Sequence, residues 1–171
     1  MRNLSVHQGE CRVSSDPNVV LTTVLGSCVA VCLYDPEAKV GGMNHFLLPG
    51  GGSGDQRDMR FGVNSMELLI NDLLKRGAQR FRLTAQLFGG AQVLRTNSGI
   101  GRSNIEFAKN FITRERIPCG NSDLGGTQAR RLNFAPVTGV ANCKRVAAPA
   151  GLDKTVPPPR RPAPAADVTL F

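Results

Sequence analysis

The run Asn18-Val19-Val20-Leu21-Thr22-Thr23-Val24-Leu25 is followed by Gly26-Ser27 and then by Cys28-Val29-Ala30-Val31-Cys32-Leu33-Tyr34. The first run is rich in β-branched residues, which fit a pleated surface, and it reads as a strand. Gly26-Ser27 breaks it, and a second strand follows. In that strand Cys28, Ala30 and Cys32 share one face, while Val29, Val31 and Leu33 share the other. Asp35-Pro36 opens a turn. Val40-Gly41-Gly42-Met43-Asn44-His45-Phe46-Leu47-Leu48 then reads as a third strand that ends at Pro49. A hairpin of the second and third strands would put Cys28 and His45 near its two open ends, able to face each other.

Outward from this stretch, Gly50-Gly51-Gly52-Ser53-Gly54-Asp55 reads as a flexible loop beside that pair. Asn64, with Glu67 three residues on, predicts the start of a helix. Met66, Leu69, Ile70, Leu73 and Leu74 then repeat at helical spacing until Gly77. Phe81 to Phe88 alternates as a strand, with Phe81, Leu83, Ala85 and Leu87 on one side. Ser103 or Asn104 opens a second helix that turns Ile105, Ala108, Phe111 and Ile112 inward. Ala129 to Ala135 and Val137 to Val146 suggest a closing hairpin around Thr138-Gly139. From Pro149 the composition shifts to Pro and Ala, the pattern of an extended or disordered tail. The expectation is one layered α/β (α+β) domain over residues 4–147, with mixed β-sheet and two main helices, and a Pro/Ala-rich tail over 148–171.

Composition narrows the function classes. No stretch approaches the roughly 18 consecutive apolar residues of a membrane helix, so no membrane insertion is expected. Met1 to His7 lacks the apolar core of a secretory signal, which makes the cytoplasm the expected compartment. The cysteines, Cys11, Cys28, Cys32, Cys119 and Cys143, are odd in number and irregularly spaced. That is a poor disulfide framework, and without a Cys-x-x-Cys pair it predicts no metal site. The formal net charge of +8 invites a nucleic-acid reading. Yet one Tyr and no Trp leave little for base stacking, and the arginines are scattered apart from Arg130-Arg131 and Lys144-Arg145. An acidic protein partner accounts for the charge equally well, and no nucleic-acid partner is expected. The glycine pairs fit neither dinucleotide nor P-loop spacing, so no nucleotide cofactor is expected.

Cys28 and His45 carry the chemistry. A thiol acts as a nucleophile through its thiolate, and a nearby imidazole is the common means of making one at neutral pH. A thiol on a strand is ordinarily a small buried side chain, and a histidine on an apolar segment is ordinarily structural. Gly26-Ser27 weighs against that, because the pair permits a close backbone approach and its N–H groups can hold an oxyanion. Thr22, six residues before Cys28, can orient the imidazole through its hydroxyl or its backbone carbonyl.

These residues resemble a family. Thr22 to Cys32, Asp35-Pro36 and Gly41 to Pro49 are similar to CheD, the chemoreceptor glutamine deamidases. So are Phe88-Gly89-Gly90-Ala91, Ile100 to Asn104, and Asp123 to Gly126 with Ala129-Arg130-Arg131. The resemblance implies hydrolysis of glutamine side-chain amides on methyl-accepting chemotaxis receptors, with Cys28, His45 and Thr22 as the catalytic residues and no cofactor. It also implies a layered α/β fold, binding to the receptors' cytoplasmic domain and, in some lineages, to a CheC-type phosphatase. A non-catalytic adaptor that binds receptors or such a phosphatase is the alternative.

Overall fold

The computed structural model describes residues 1–49, 56–94 and 99–147, so the loop expected at 50–55 and the tail expected at 148–171 lie outside the described residues. The strands are β1 (Arg2–Ser5), β2 (Cys11–Ser14), β3 (Val19–Leu25), β4 (Val29–Asp35), β5 (Val40–Phe46), β6 (Thr84–Gly89), β7 (Asp123–Leu124), β8 (Ala129–Ala135) and β9 (Val140–Val146). The helices are α1 (Gln56–Lys75), between β5 and β6, and α2 (Ile100–Arg114), between β6 and β7. Two mixed sheets form, a four-stranded one in the order β1-β3-β8-β9 and a five-stranded one in the order β2-β5-β4-β6-β7. The expected α+β class with mixed sheets and two helices is what the chain adopts. No helix among the described residues is long and apolar enough to cross a membrane.

The alternation in β4 explains the layering. Val29, Val31 and Leu33 belong to a cluster with Met66, Leu69, Ile70 and Leu73 of α1 and Phe107, Ala108, Phe111 and Ile112 of α2. Ala30 and Cys32 belong to a second cluster, with Leu21 and Leu25 of β3 and Leu132 and Phe134 of β8. The five-stranded sheet is thus covered on both faces, which is why β4 reads as an almost unbroken apolar run. The β4–β5 hairpin pairs Val29 with Phe46, Ala30 with His45 and Cys32 with Met43. Residues directly opposite in such a pair share a face, so His45 turns toward the four-stranded sheet together with Ala30.

Three local expectations are corrected. Helix α1 begins at Gln56, not at Asn64. Its buried side continues downward from Met66 through Gly62 to Asp58 at four-residue spacing, and neither residue registers as an apolar stripe. Gly62 is needed there because any Cβ would strike the Phe107 ring of α2. Second, Phe81 is 81% exposed instead of sharing a face with Leu83. Arg80–Arg82 forms a 3-10 turn, and Arg82 Nε donates to both carboxylate oxygens of buried Asp35, at 3.1 and 2.9 Å. That anchor fixes the turn and leaves Phe81 against the Arg82 guanidinium, 5.8 Å from the ring centre. Third, α2 opens at Ile100 with Gly99 at its N-cap, and Asn104 is a buried residue of its second turn.

The expected close approach at Gly26 lies elsewhere as well. A Cβ on Gly26 would meet Val93 at 3.7 Å, an ordinary contact. Across the strand pair, Gly89 has φ +108° and its Cβ would collide with the Cys28 carbonyl. Gly89→Ala is therefore expected to destabilise the protein by about 1–3 kcal/mol, and Gly26→Ala by less. Chemical denaturation of the two variants checks this; equal midpoints would contradict it.

Candidate active site

Cys28 lies immediately before β4 on a turn whose carbonyls are all held from outside. Gly26 O accepts from Ala91 N–H at 2.9 Å, and Cys28 O accepts from Gly90 N–H at 2.8 Å. Ser27 O accepts from Asn104 Nδ2 at 2.8 Å. In a trans peptide the N–H points opposite to the C=O. Fixing three successive carbonyls therefore also fixes the directions of the Ser27 and Cys28 amides. Asn104 does more, since its Oδ1 accepts from Leu48 N–H at 3.0 Å. One buried amide thus ties the turn carrying Cys28 to the segment that follows His45. The sequence marked Asn104 as a helix-opening residue and as part of a segment similar to the family, without this bridging role.

Arg130 braces the same region from behind. It is fully buried, and its guanidinium reaches Gly125 O at 2.6 Å, Asp123 Oδ1 at 3.2 Å and Gly89 O at 3.4 Å. Its Nε lies 3.1 Å from Asp123 Oδ2 but is not aimed for a hydrogen bond. Hydrogen bonds from Arg145 and from Arg130 hold the Asp123 carboxyl far below the usual carboxylate range. The adjacent arginines Arg130 and Arg131 therefore have opposite fates. Strand alternation sends Arg130 inward as an anchor and leaves Arg131 exposed.

His45 is buried, and its Nδ1 is 2.9 Å from Thr23 Oγ1 and 3.1 Å from Val6 O. Thr23 Oγ1 donates to that same Val6 carbonyl at 2.8 Å. A carbonyl only accepts, and the threonine proton is already committed to it. The network therefore assigns the imidazole proton to Nδ1, and Nε2 carries the lone pair. The hydroxyl at the imidazole belongs to Thr23, one residue beyond the expected Thr22. Alternation along β3 explains the offset, because Thr23 faces the five-stranded sheet and Thr22 does not. Thr22 is tied to the site through its main chain, as its carbonyl accepts from Val6 N–H at 2.8 Å. That bond places the Val6 carbonyl that His45 uses.

Cys28 stands two residues before Ala30, the cross-strand partner of His45. Diagonal neighbours in a sheet are roughly 7–8 Å apart. The Cys28 thiol donates to Gln8 Oε1 at 3.6 Å. A cavity of about 490 Å3 opens on the Gln8 and His45 side, with Val6, Gln8, Thr22, Thr23, His45 and Arg131 among its lining residues and Cys28 outside that lining. Sequence reading missed the N-terminal segment as a wall of this cavity. Its one visible signal was the apolar Leu4 and Val6, too short a pattern to register as structure.

Burial pushes the Cys28 thiol up, with only its own backbone N–H acting the other way. Burial likewise pulls His45 below the ordinary histidine value, against the opposing pull of the Val6 hydrogen bond. Both shifts favour the uncharged forms of the two groups. The His45 ring should accordingly titrate in NMR with a midpoint below about 6.5, the unperturbed value. A midpoint above that would contradict the assignment.

Comparison with known proteins supplies the family. The family model described as CheD chemotactic sensory transduction matches residues 47–145. The probable chemoreceptor glutamine deamidase CheD of Caulobacter vibrioides (strain NA1000 / CB15N) is 50% identical over 177 residues, covering 99% of this chain and 95% of that protein. Its namesake from Zymomonas mobilis is 47% identical, covering 99% and 93%. That from Agrobacterium fabrum is 50% identical, covering 96% and 91%. Among solved structures, the hypothetical protein YfiH of Bacillus licheniformis gives a TM-score of 0.45 at 14% identity, covering 66% of this chain and 49% of that one. The last likeness is loose. The family match and the near-full-length relatives together establish that the chain belongs to the CheD family.

Proposed function

We propose that this protein hydrolyses glutamine side-chain amides on chemoreceptors to glutamate, with Cys28 as nucleophile and His45 as general base. The observation that supports the reading is the held Nδ1 of His45, which leaves the lone pair on Nε2, together with a Cys28 turn whose carbonyls are each bonded. The names of the relatives supply the substrate class.

In this mechanism His45 Nε2 takes the Cys28 proton as the sulfur attacks the amide carbon. The Ser27 and Cys28 amides hold the oxygen that becomes negative. The imidazolium returns its proton to the departing ammonia. Water activated by His45 then cleaves the thioester, releasing glutamate and the thiol. The Thr23 hydroxyl and the Val6 carbonyl keep Nδ1–H engaged throughout, so the ring cannot turn its protonated nitrogen toward the sulfur. Thr22 acts through its carbonyl by placing Val6. No metal or organic cofactor takes part in these steps.

The test is incubation with a receptor cytoplasmic fragment, reading the mass gain of about one dalton that accompanies conversion of an amide to an acid through an acyl-enzyme. Cys28→Ala should abolish the gain, and His45→Ala should slow it about 10²- to 10⁴-fold. Thr23→Val should lower kcat more than Thr22→Val. The reverse order would return the orienting role to the Thr22 hydroxyl. The acid limb of kcat/KM should fall below about pH 6.5, because the base must be neutral to act and burial lowers its pKa. Full activity in a folded Cys28→Ala protein would contradict Cys28 as nucleophile, and a wild type that binds the fragment without converting it would leave receptor binding alone as the function.

A further inference from the structure

Among the described residues, Gln8 is the glutamine held against the Cys28 thiol, its Oε1 3.6 Å from Sγ. The Gln8 side chain is exposed, and the backbone that carries it is fixed. The turn that carries Gln8 is stapled to both sides of His45, because Gly9 N–H donates to His45 O at 2.7 Å and His45 N–H donates to Glu10 O at 3.1 Å. Within the turn, Glu10 N–H donates to His7 O at 2.9 Å, and His7 N–H donates to Glu10 Oε2 at 2.9 Å. Val6, two residues earlier, is held by Thr22 and supplies the carbonyl at His45 Nδ1. The Gln8 carboxamide thus meets the Cys28 thiol, and Gln8 and His45 line the same cavity.

We infer that Gln8 is an internal substrate, whose side-chain amide the protein slowly hydrolyses to a carboxylate. The inference rests on the proposed Cys28–His45 chemistry and extends it to a residue of the chain. In the resting arrangement the thiol proton rests on the Gln8 oxygen. Rotation of the carboxamide releases that oxygen to the amides of the Ser27–Cys28 turn and turns its carbon to Sγ. His45 then accepts the thiol proton, and an Sγ–Cδ bond forms. The Cδ–Nε2 bond of Gln8 breaks, with ammonia leaving on the proton from His45. Water adds to Cδ and the Sγ–Cδ bond breaks. The products are a glutamate side chain in place of the glutamine, the free thiol and ammonia. No oxidant, metal or second substrate is consumed. Until it has reacted or swung aside, the carboxamide occupies the place of an incoming glutamine.

The experiment follows the purified full-length protein over days at neutral pH by peptide mass spectrometry, alongside Cys28→Ala. A receptor fragment is assayed in a separate arm. The gain of about one dalton at the peptide containing Gln8 should accumulate in the wild type at least about tenfold faster than in Cys28→Ala, as expected for loss of a nucleophile. Gln86 and Gln128 of the same molecules serve as references and should stay unchanged. Equal rates at Gln8 in both proteins would mean spontaneous loss at the Gln8-Gly9 bond, and would overturn the inference. An unmodified Gln8 in a protein that deamidates the receptor fragment would overturn it while leaving the proposed function intact. If neither glutamine is converted, the Cys28 chemistry itself fails, and the inference with it.

Discussion

The hydrogen bonds that meet at the Val6 carbonyl are the constraint on which the site depends. Thr23 comes from the four-stranded sheet, His45 from the five-stranded sheet, and Val6 from the segment after β1. Three elements distant in sequence converge on one imidazole nitrogen, and their convergence fixes its tautomer. A buried polar cluster left half-satisfied would cost more than it contributes. Here each group has a partner, so the same bonds that join the layers also orient the imidazole. Thr22 belongs to this arrangement through its main chain, because its carbonyl sets where Val6 lies.

Glycines and one asparagine do for Cys28 what the threonine and the carbonyl do for His45. Gly89 lets β6 approach the Cys28 carbonyl more closely than any residue with a Cβ could. Gly90 and Ala91 then donate to the turn, and Asn104 closes it from α2. Buried Arg130 holds Gly89 and Gly125 from behind. Cys28 therefore sits on a turn whose peptide planes have little freedom, and the rigidity comes from elements far along the chain. Pre-set amide dipoles of this kind need no reorganisation when negative charge appears.

Much of this was legible in the sequence, for physical reasons that differ by element. The β3, β4 and β5 strands were readable because β-branched runs and turn residues are local signals, and the β4–β5 hairpin was expected from them, while its register, which pairs His45 with Ala30, was not. Cys28 and His45 stood out by residue type. The two-sided burial of β4 was visible as an unbroken apolar run. What escaped depends on contacts between distant segments. The start of α1 was hidden because its first buried residues are Asp58 and Gly62. Phe81 broke an alternating pattern because Arg82 is anchored on Asp35, 47 residues earlier. The choice between Thr22 and Thr23 turned on which face of β3 meets the other sheet, a matter of tertiary packing. The part played by residues 6–10 could not be read locally at all, since their partners lie in β3 and β5.

The central claim is that an uncharged Cys28 thiol becomes the nucleophile when His45 draws its proton, and that the reaction passes through a thioester. The most direct measurement is acid quenching of the reaction with a receptor peptide, followed by mass analysis of the Cys28 peptide. The account predicts an adduct on Cys28 equal to the receptor peptide less ammonia, absent after His45→Ala. Deamidation that proceeds with no adduct on Cys28 at any quench time, and that survives Cys28→Ala, would contradict it.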